Sequence, residues 1–326
     1  MNQTETITTI YTTLDPVPYE VFRVRVGGGR LYYTMVDDEP RFYISLTTLT
    51  RHTLPTSEFL IKWISSMGEK EAKAYMEERA EYGTLMHHTF GEFMMEKKYN
   101  FDLTEGFIKN AIAMGVIKYY KEDWIEELNK DVAAFAMFCH DYKVEPLAIE
   151  IVMVSKDGYG TLIDLVCKMH EEVDGFDYDN PYKSGKRKGQ PREIKIKKDI
   201  TALINFKSGK HGFYEEHEVQ LEFERRLFVE NYPDIKIDAI YNWAPKDWKG
   251  KPSYTLKDQT GQLNGQKADY LLGLAKIELM KKLPNKLSLA TSVKYGDAPQ
   301  VNESSVYDYI KQRHREMAVA NNAMES

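Results

Sequence analysis

A change of hydrophobic period at Pro146 restricts the fold of this chain more than any other feature. Before it, residues 56–143 place apolar side chains at helical spacing. "TSEFLIKWISSMG" opens on a Thr/Ser cap and closes on Gly68. "EKEAKAYMEERAEYGTLMHHTFGEFMMEKK", "TEGFIKNAIAMGVIKYYK" and "DWIEELNKDVAAFAMFCHDYK" continue as helices. After it, "LAIEIVMVSKDGYGTLIDLVCKM" reads as a strand, an Asp-Gly turn and a strand. "ITALINF" is a further strand, "YEEHEVQLEFERRLFVENY" a helix and "IKIDAIYNWAP" a strand. "KADYLLGLAKIELMKKLP" and "VYDYIKQRHREMAVANN" add two helices, and "RLYYTMVDDEPRFYISL" near the start alternates like a hairpin turning at DDEP. The pattern predicts an α/β fold, with a small mixed sheet flanked by helices. Residues 1–55 form a hairpin and lead-in, 56–143 a helical region, 144–260 a core with a basic insert at 175–199, and 261–326 a C-terminal helical extension. Together they read as one compact unit.

Forty-two per cent of the 326 residues are apolar, enough for a sizeable core. Mean hydropathy is −0.52 and no apolar run reaches 18 residues, so no membrane span is expected. The opening "MNQTETITTIYTTLDP" has neither the basic and apolar regions of a signal peptide nor the arginines of a transit peptide. Two cysteines, Cys139 and Cys167, argue against a disulfide framework and a four-cysteine cluster. A reducing, cytoplasmic setting is the expectation. Net charge is −6, which gives no global signature for nucleic acid. Residues 183–198, "KSGKRKGQPREIKIKK", nevertheless carry eight Lys/Arg against the single acid Glu193. Such a run is either a solvated loop or the place where a polyanion docks.

Polar residues inside apolar strands carry the chemistry. In "ALINFKSGK", residues 202–210, strand alternation points Asn205 and Lys207 to the same side. Asp164 sits between Leu162-Ile163 and Leu165-Val166. Burying an unpaired carboxylate is costly, so Asp164 needs a cation, either a metal or Lys207. His87 in "GTLMHH", Glu150 on the strand before Asp164 and Gln220 in "HEVQLEF" complete the set. Glu150 is either a further ligand or a half-exposed strand residue. His88 lies about 100° around the helix from His87 and serves some other purpose.

This order of motifs resembles the RecB-like branch of the PD-(D/E)XK nucleases. In that branch Gly-x-x-x-His on a helix precedes Gly-x-x-Asp, Asp/Glu-x-Lys and a Gln-bearing helix. Here the matching residues are Gly83 and His87, Gly160 and Asp164 (one residue further apart), Asn205 and Lys207, and Gln220. The lead-in "YISLTTLTRHTLPTSEFLIKWISSMGEKEA…GTLMHH" is similar to that of single-strand exonucleases akin to mitochondrial genome maintenance exonuclease and its phage relatives. The likeness spans residues 43–243. It implies a PD-(D/E)XK core binding Mg²⁺ or Mn²⁺ through Asp164, His87, the position of Asn205 and Glu150, with His87 favouring Mn²⁺ as well as Mg²⁺. Lys207 would orient the attacking water or stabilise developing charge, and Gln220 would hold Lys207 or a phosphate.

Two positions depart from the pattern. The tyrosine often found four residues after the glutamine is Glu224, and the second acid is Asn205. Asn keeps an oxygen but loses a charge worth roughly 4 kcal/mol at ~4 Å and an effective dielectric of 20. The resemblance therefore implies a DNA nuclease, more an exonuclease than an endonuclease, impaired by an engineered Asp-to-Asn change at 205. The alternative is a natural pseudonuclease that binds DNA without cutting. On the first reading Asn205→Asp raises activity. Lys186, Arg187, Lys188, Arg192 and Lys195 would grip the DNA backbone. Trp243 and Trp248 in "YNWAPKDWKGKPSY" would stack on bases or pack beneath a turn. Ser45 and Thr47 would bond phosphates or act as ordinary strand hydroxyls. The expected substrate is single-stranded DNA or DNA ends, in a phage or bacterial host cytoplasm. Since no helicase-type phosphate loop is present, any replication or recombination motor would be a separate chain.

Overall fold

The computed structural model describes residues 4–6, 9–26, 29–37, 39–210 and 212–283. In chain order the elements are β1 (Thr4–Thr6), β2 (Tyr11–Thr12), β3 (Phe22–Val26), β4 (Gly29–Val36), β5 (Glu39–Ser45), α1 (Leu46–Thr53), α2 (Glu58–Met67), α3 (Glu69–Glu96), α4 (Thr104–Ala113) and α5 (Asp123–Tyr142). Then come β6 (Glu145–Val154), β7 (Tyr159–Asp177), β8 (Arg192–Phe206), α6 (Glu215–Asn231), β9 (Ala239–Pro245), β10 (Tyr254–Asp258) and α7 (Gln262–Glu278). The helix expected over 306–322 lies outside the described residues. The helix expected over 104–121 stops at Ala113, where Gly115 takes a left-handed φ of 74°. Helix α1 has no counterpart in the sequence reading. Among the described residues no helix is long and apolar enough to cross a membrane.

One mixed sheet runs β1-β3-β4-β5-β7-β8-β9-β10, with β6 on β7 and β2 on β6. β6, β7 and β8 are antiparallel neighbours, while β9 returns parallel to β8 after α6. Apolar residues on the two sides of the sheet build two cores, giving three layers. On one side Phe90, Phe135 and Phe138 of α3 and α5 pack on Leu165, Ile204, Phe206 and Trp243. On the other, Leu46, Leu221, Phe223 and Leu227 of α1 and α6 pack on Ile151, Ile163, Leu203 and Ile240, with Ala268 and Ala275 of α7.

Two local features place the site. First, one edge of β7 changes partner. Tyr159 and Gly160 pair in parallel with β5, whereas the ladder to β8 begins at Leu165↔Ile204. Residues 161–164 occupy the fork between them. Second, Glu150 on β6 adopts φ 49°, a left-handed conformation that strands avoid. It shifts the strand's alternation, so Ala148 and Ile151 join one core while Ile149 joins the other. Gly160 lets the strands close up at the fork, because a Cβ there would lie 3.0 Å from Val154 Cγ1 and 3.2 Å from Met153 O.

The basic insert is only partly a loop: residues 178–191 connect two strands that carry its flanks. β7 and β8 continue past the core as a paired arm, in register from Met169↔Ile200 to Asp177↔Arg192. Twelve steps from Leu165 to Asp177, at ~3.3 Å each, carry its tip ~40 Å along the strand. The basic run is close to the site in sequence and far from it in space.

Candidate metal centre at the fork of the sheet

Asp164 stands where β7 loses β5 and gains β8. Its Oδ2 accepts the Phe206 amide at 2.6 Å, so a side chain replaces the carbonyl that would otherwise continue the ladder. Its Oδ1 lies 3.4 Å from His87 Nδ1, and Glu150 Oε1 lies at the same distance from that nitrogen. His87 Nε2 lies 3.2 Å from Phe206 O. The Nε2–H donates to that carbonyl and leaves Nδ1 facing the carboxylates, the orientation a metal-binding imidazole takes. Ligand atoms of His87, Glu150 and Asp164 all lie within 4.8 Å of one another. This donor set of two carboxylates and one imidazole could hold a metal ion.

The second half of the site comes from the opposite layer. Lys207, just past the end of β8, donates from Nζ to Gln220 Oε1 at 3.2 Å. Gln220 Nε2 donates to Glu224 Oε1 at 2.7 Å, and Asn205 Nδ2 reaches Glu224 Oε2 at 3.4 Å. Gln220 and Glu224, four residues apart, share one face of α6. The fork thus lets His87 from one helical layer and Gln220 and Glu224 from the other converge on the same stretch of sheet. On the neighbouring strand Asn242, the register partner of Asn205, is buried. Its Oδ1 has no hydrogen-bond partner among the described residues.

Charge is strained here. Burial alone lowers the His87 pKa, but Asp164 and Glu150 override it and raise it to about 10. Burial raises the Asp164 pKa, yet His87, Lys207 and the Phe206 amide hold it below its ordinary value. For Glu224, burial and then repulsion from Asp164 push the pKa up to about 8. Both raised groups act in one direction on metal-free stability. The His87 contribution is complete below its unfolded pKa of 6.5 and is lost as pH rises through about 10. Glu224 disfavours the fold progressively as pH rises from 4.5 to about 8. The expected result is that melting temperature in a chelator falls between pH 6 and pH 9, and that His87→Asn flattens the fall. Thermal melts across that range check this, and a wild-type profile that is flat or rises would refute it.

Of the sequence-predicted residues, the structure brings together His87, Glu150, Asp164, Asn205, Lys207 and Gln220. It gives others packing, capping or pairing contacts away from this cluster. Trp243 is 0% exposed and packs edge-on against Phe90, Phe135 and Phe206. No base can reach it. The Trp248 indole is docked on α5, with Nε1 donating to Lys130 O at 3.3 Å. Ser45 is buried, and its Oγ caps α1 by accepting from the Thr48 amide. Thr47 Oγ1 lies 3.2 Å from that same hydroxyl. On the arm the strands are charge-matched: Glu171, Glu172 and Asp174 face Lys198, Lys197 and Lys195. Lys195 pairs with Asp174 at 2.6 Å and Arg187 with Glu193 at 3.2 Å. Arg192 and Arg187 lie over the Tyr182 ring. Among the described residues Lys183, Lys186 and Lys188 at the tip have no carboxylate in salt-bridge range. His88 turns from the site and stacks on Phe107.

Glu224 is the site residue that sequence reasoning missed, because it stands where the motif has a tyrosine. Its spacing of four from Gln220 was the available signal. No family model matches the chain, and no curated protein matches it.

Proposed function

We propose that this chain is a divalent-metal-dependent DNA nuclease on a RecB-like PD-(D/E)XK core. It acts as an exonuclease on single strands or DNA ends in phage or bacterial replication, recombination or repair. One observation carries the reading: His87, Glu150 and Asp164 converge at the sheet fork on the edge that ends in Asn205 and Lys207. The order α5-β6-β7-β8-α6-β9, with two antiparallel steps and then a parallel return, accords with it.

Mg²⁺ or Mn²⁺ held by Asp164, Glu150 and His87 would supply charge relief and an activated water. The chain's own residues do the rest. Lys207 presents an ammonium to the charge that builds on the scissile phosphate. Gln220 fixes that ammonium by accepting its hydrogen bond. The Phe206 carbonyl and amide fix the His87 ring and the Asp164 carboxylate. A non-cutting DNA-binding protein is the second reading, favoured by Asn205 where an acid would stand. End-labelled single- and double-stranded DNA, linear and circular, incubated with Mg²⁺, Mn²⁺ or EDTA, separates the two. Metal-dependent loss of linear single strands is expected. Binding without cleavage under either metal would leave only the second.

The arm tip holds DNA at a distance from the chemistry. The ~40 Å from the fork to the tip corresponds to roughly 12 nucleotides at 3.4 Å each. Neutralising Lys183, Lys186 and Lys188 together should lower the salt-dependence slope by roughly 2 on single strands. The loss should appear on long oligonucleotides and vanish on those much shorter than the arm. Equal loss on both lengths would sink the assignment. Fluorescence anisotropy across a salt series reads it.

A further inference from the structure

We propose that Glu224, on α6, supplies the negative charge that Asn205 does not supply on β8, so that the second carboxylate of the metal site has moved from the strand to the facing helix. This rests on the nuclease reading above and removes the need for an impairing change at position 205.

Glu224 is 1% exposed and Asn205 is 2% exposed, and they meet at 3.4 Å through Oε2 and Nδ2. A carboxylate that deep ordinarily has a cationic partner. Glu224 has only neutral donors, the Gln220 and Asn205 amides. Among the described residues no Lys, Arg or His nitrogen lies within salt-bridge range of it. Its α6 neighbours Leu221, Phe223, Leu227 and Phe228 are core residues, so packing alone would favour an apolar side chain here. A buried acid held only by neutral amides, beside the metal-binding strand, is a donor that a bound divalent ion would keep ionised.

A second observation comes from the next strand. Asn242 is 0% exposed and is the register partner of Asn205. Its amide donates to His217 O at 3.3 Å, while its Oδ1 stays unpartnered. An orphaned buried acceptor next to Asn205 marks the same region as short of positive charge or donors.

Asp164, Glu150 and Glu224 provide three carboxylates opposite Lys207 and His87. Asn205 supplies a neutral oxygen and an amide that holds Glu224. Gln220 bridges Lys207 to Glu224 and so ties the Lys207 ammonium to the relocated acid. Restoring Asp at 205 while Glu224 remains would add a fourth carboxylate and set it against Glu224.

Mn²⁺ alone is the probe, titrated calorimetrically into the full chain, with DNA cleavage assayed in parallel. Glu224→Gln should weaken Mn²⁺ binding by about 10–100-fold. Asn205→Asp should bind no tighter than wild type. The double variant Asn205→Asp/Glu224→Gln, with the acid returned to the strand, should regain most of the lost affinity. Melts in EDTA establish that each variant is folded; if Glu224→Gln alone fails to fold, the double variant decides. A folded Glu224→Gln with wild-type affinity overturns the assignment. So does a folded double variant that binds no Mn²⁺, an Asn205→Asp gain above about tenfold, or a wild-type chain that binds no Mn²⁺. Mn²⁺ binding that depends on Glu224 without any DNA cleavage sustains the assignment and refutes the nuclease reading instead.

Discussion

Replacing Asp164 by Asn is expected to remove DNA cleavage and Mn²⁺ binding together while leaving the fold intact. Asn keeps an oxygen that can accept the Phe206 amide, the bond that joins β7 to β8 at the fork. What it loses is the charge that holds the centre together. Asp164 is the residue that both His87 and Lys207 act upon, and the one whose charge raises Glu224. A metal contributes several kcal/mol to transition-state charge relief, and each 1.36 kcal/mol is tenfold in rate, so cleavage should fall by about 10³-fold or more. Single-turnover cleavage and Mn²⁺ calorimetry on Asp164→Asn measure the two losses. If cleavage persisted within about tenfold of wild type, the chemistry would have to lie elsewhere.

The second large effect falls on stability. Trp243→Ala should destabilise the protein by about 3–5 kcal/mol, the usual cost of emptying a buried aromatic site. Trp243 closes the aromatic layer between β9 and α3–α5, stacking at 6.3 Å on Tyr254 and meeting Phe90 at 5.2 Å. Denaturant unfolding followed by circular dichroism measures the loss. Trp243→Phe, which keeps most of the ring, should bind DNA as wild type does. A Trp243→Phe protein that melts normally but binds single strands markedly more weakly would restore the stacking role set aside above.

Most elements were legible because their signals are local. Helix α2 runs from the Ser57 cap to Gly68 as its sequence implies, and β6-turn-β7 follows the Asp157-Gly158 signal. The motif residues were legible because strand alternation and helix spacing fix which side chains share a face. What stayed hidden depends on partners distant in sequence. The arm reads as a loop because its facing residues are mostly opposite charges rather than an apolar face, and neither strand alone displays that match. Trp243 reads as an interface residue because aromatics and lysines alternate around it. Yet β9 is buried along its whole length, because it lies between β8 and β10 with α5 over one face and α6 over the other. Glu224 was hidden because its meaning depends on Asn205, nineteen residues earlier, across a contact no period encodes.

The Phe206 amide hydrogen turns the fork into its own gauge. Its acceptor is the Asp164 carboxylate instead of a neighbouring strand's carbonyl, while the carbonyl of the same residue faces His87. Any event that changes the charge on Asp164, whether protonation or capture of a cation, alters the electrostatics of that one N–H bond. In a ¹⁵N spectrum its resonance should therefore move with occupancy of the centre while the regular ladder beside it stays still. A single backbone signal would then report the state of the chemistry without substrate, label or turnover.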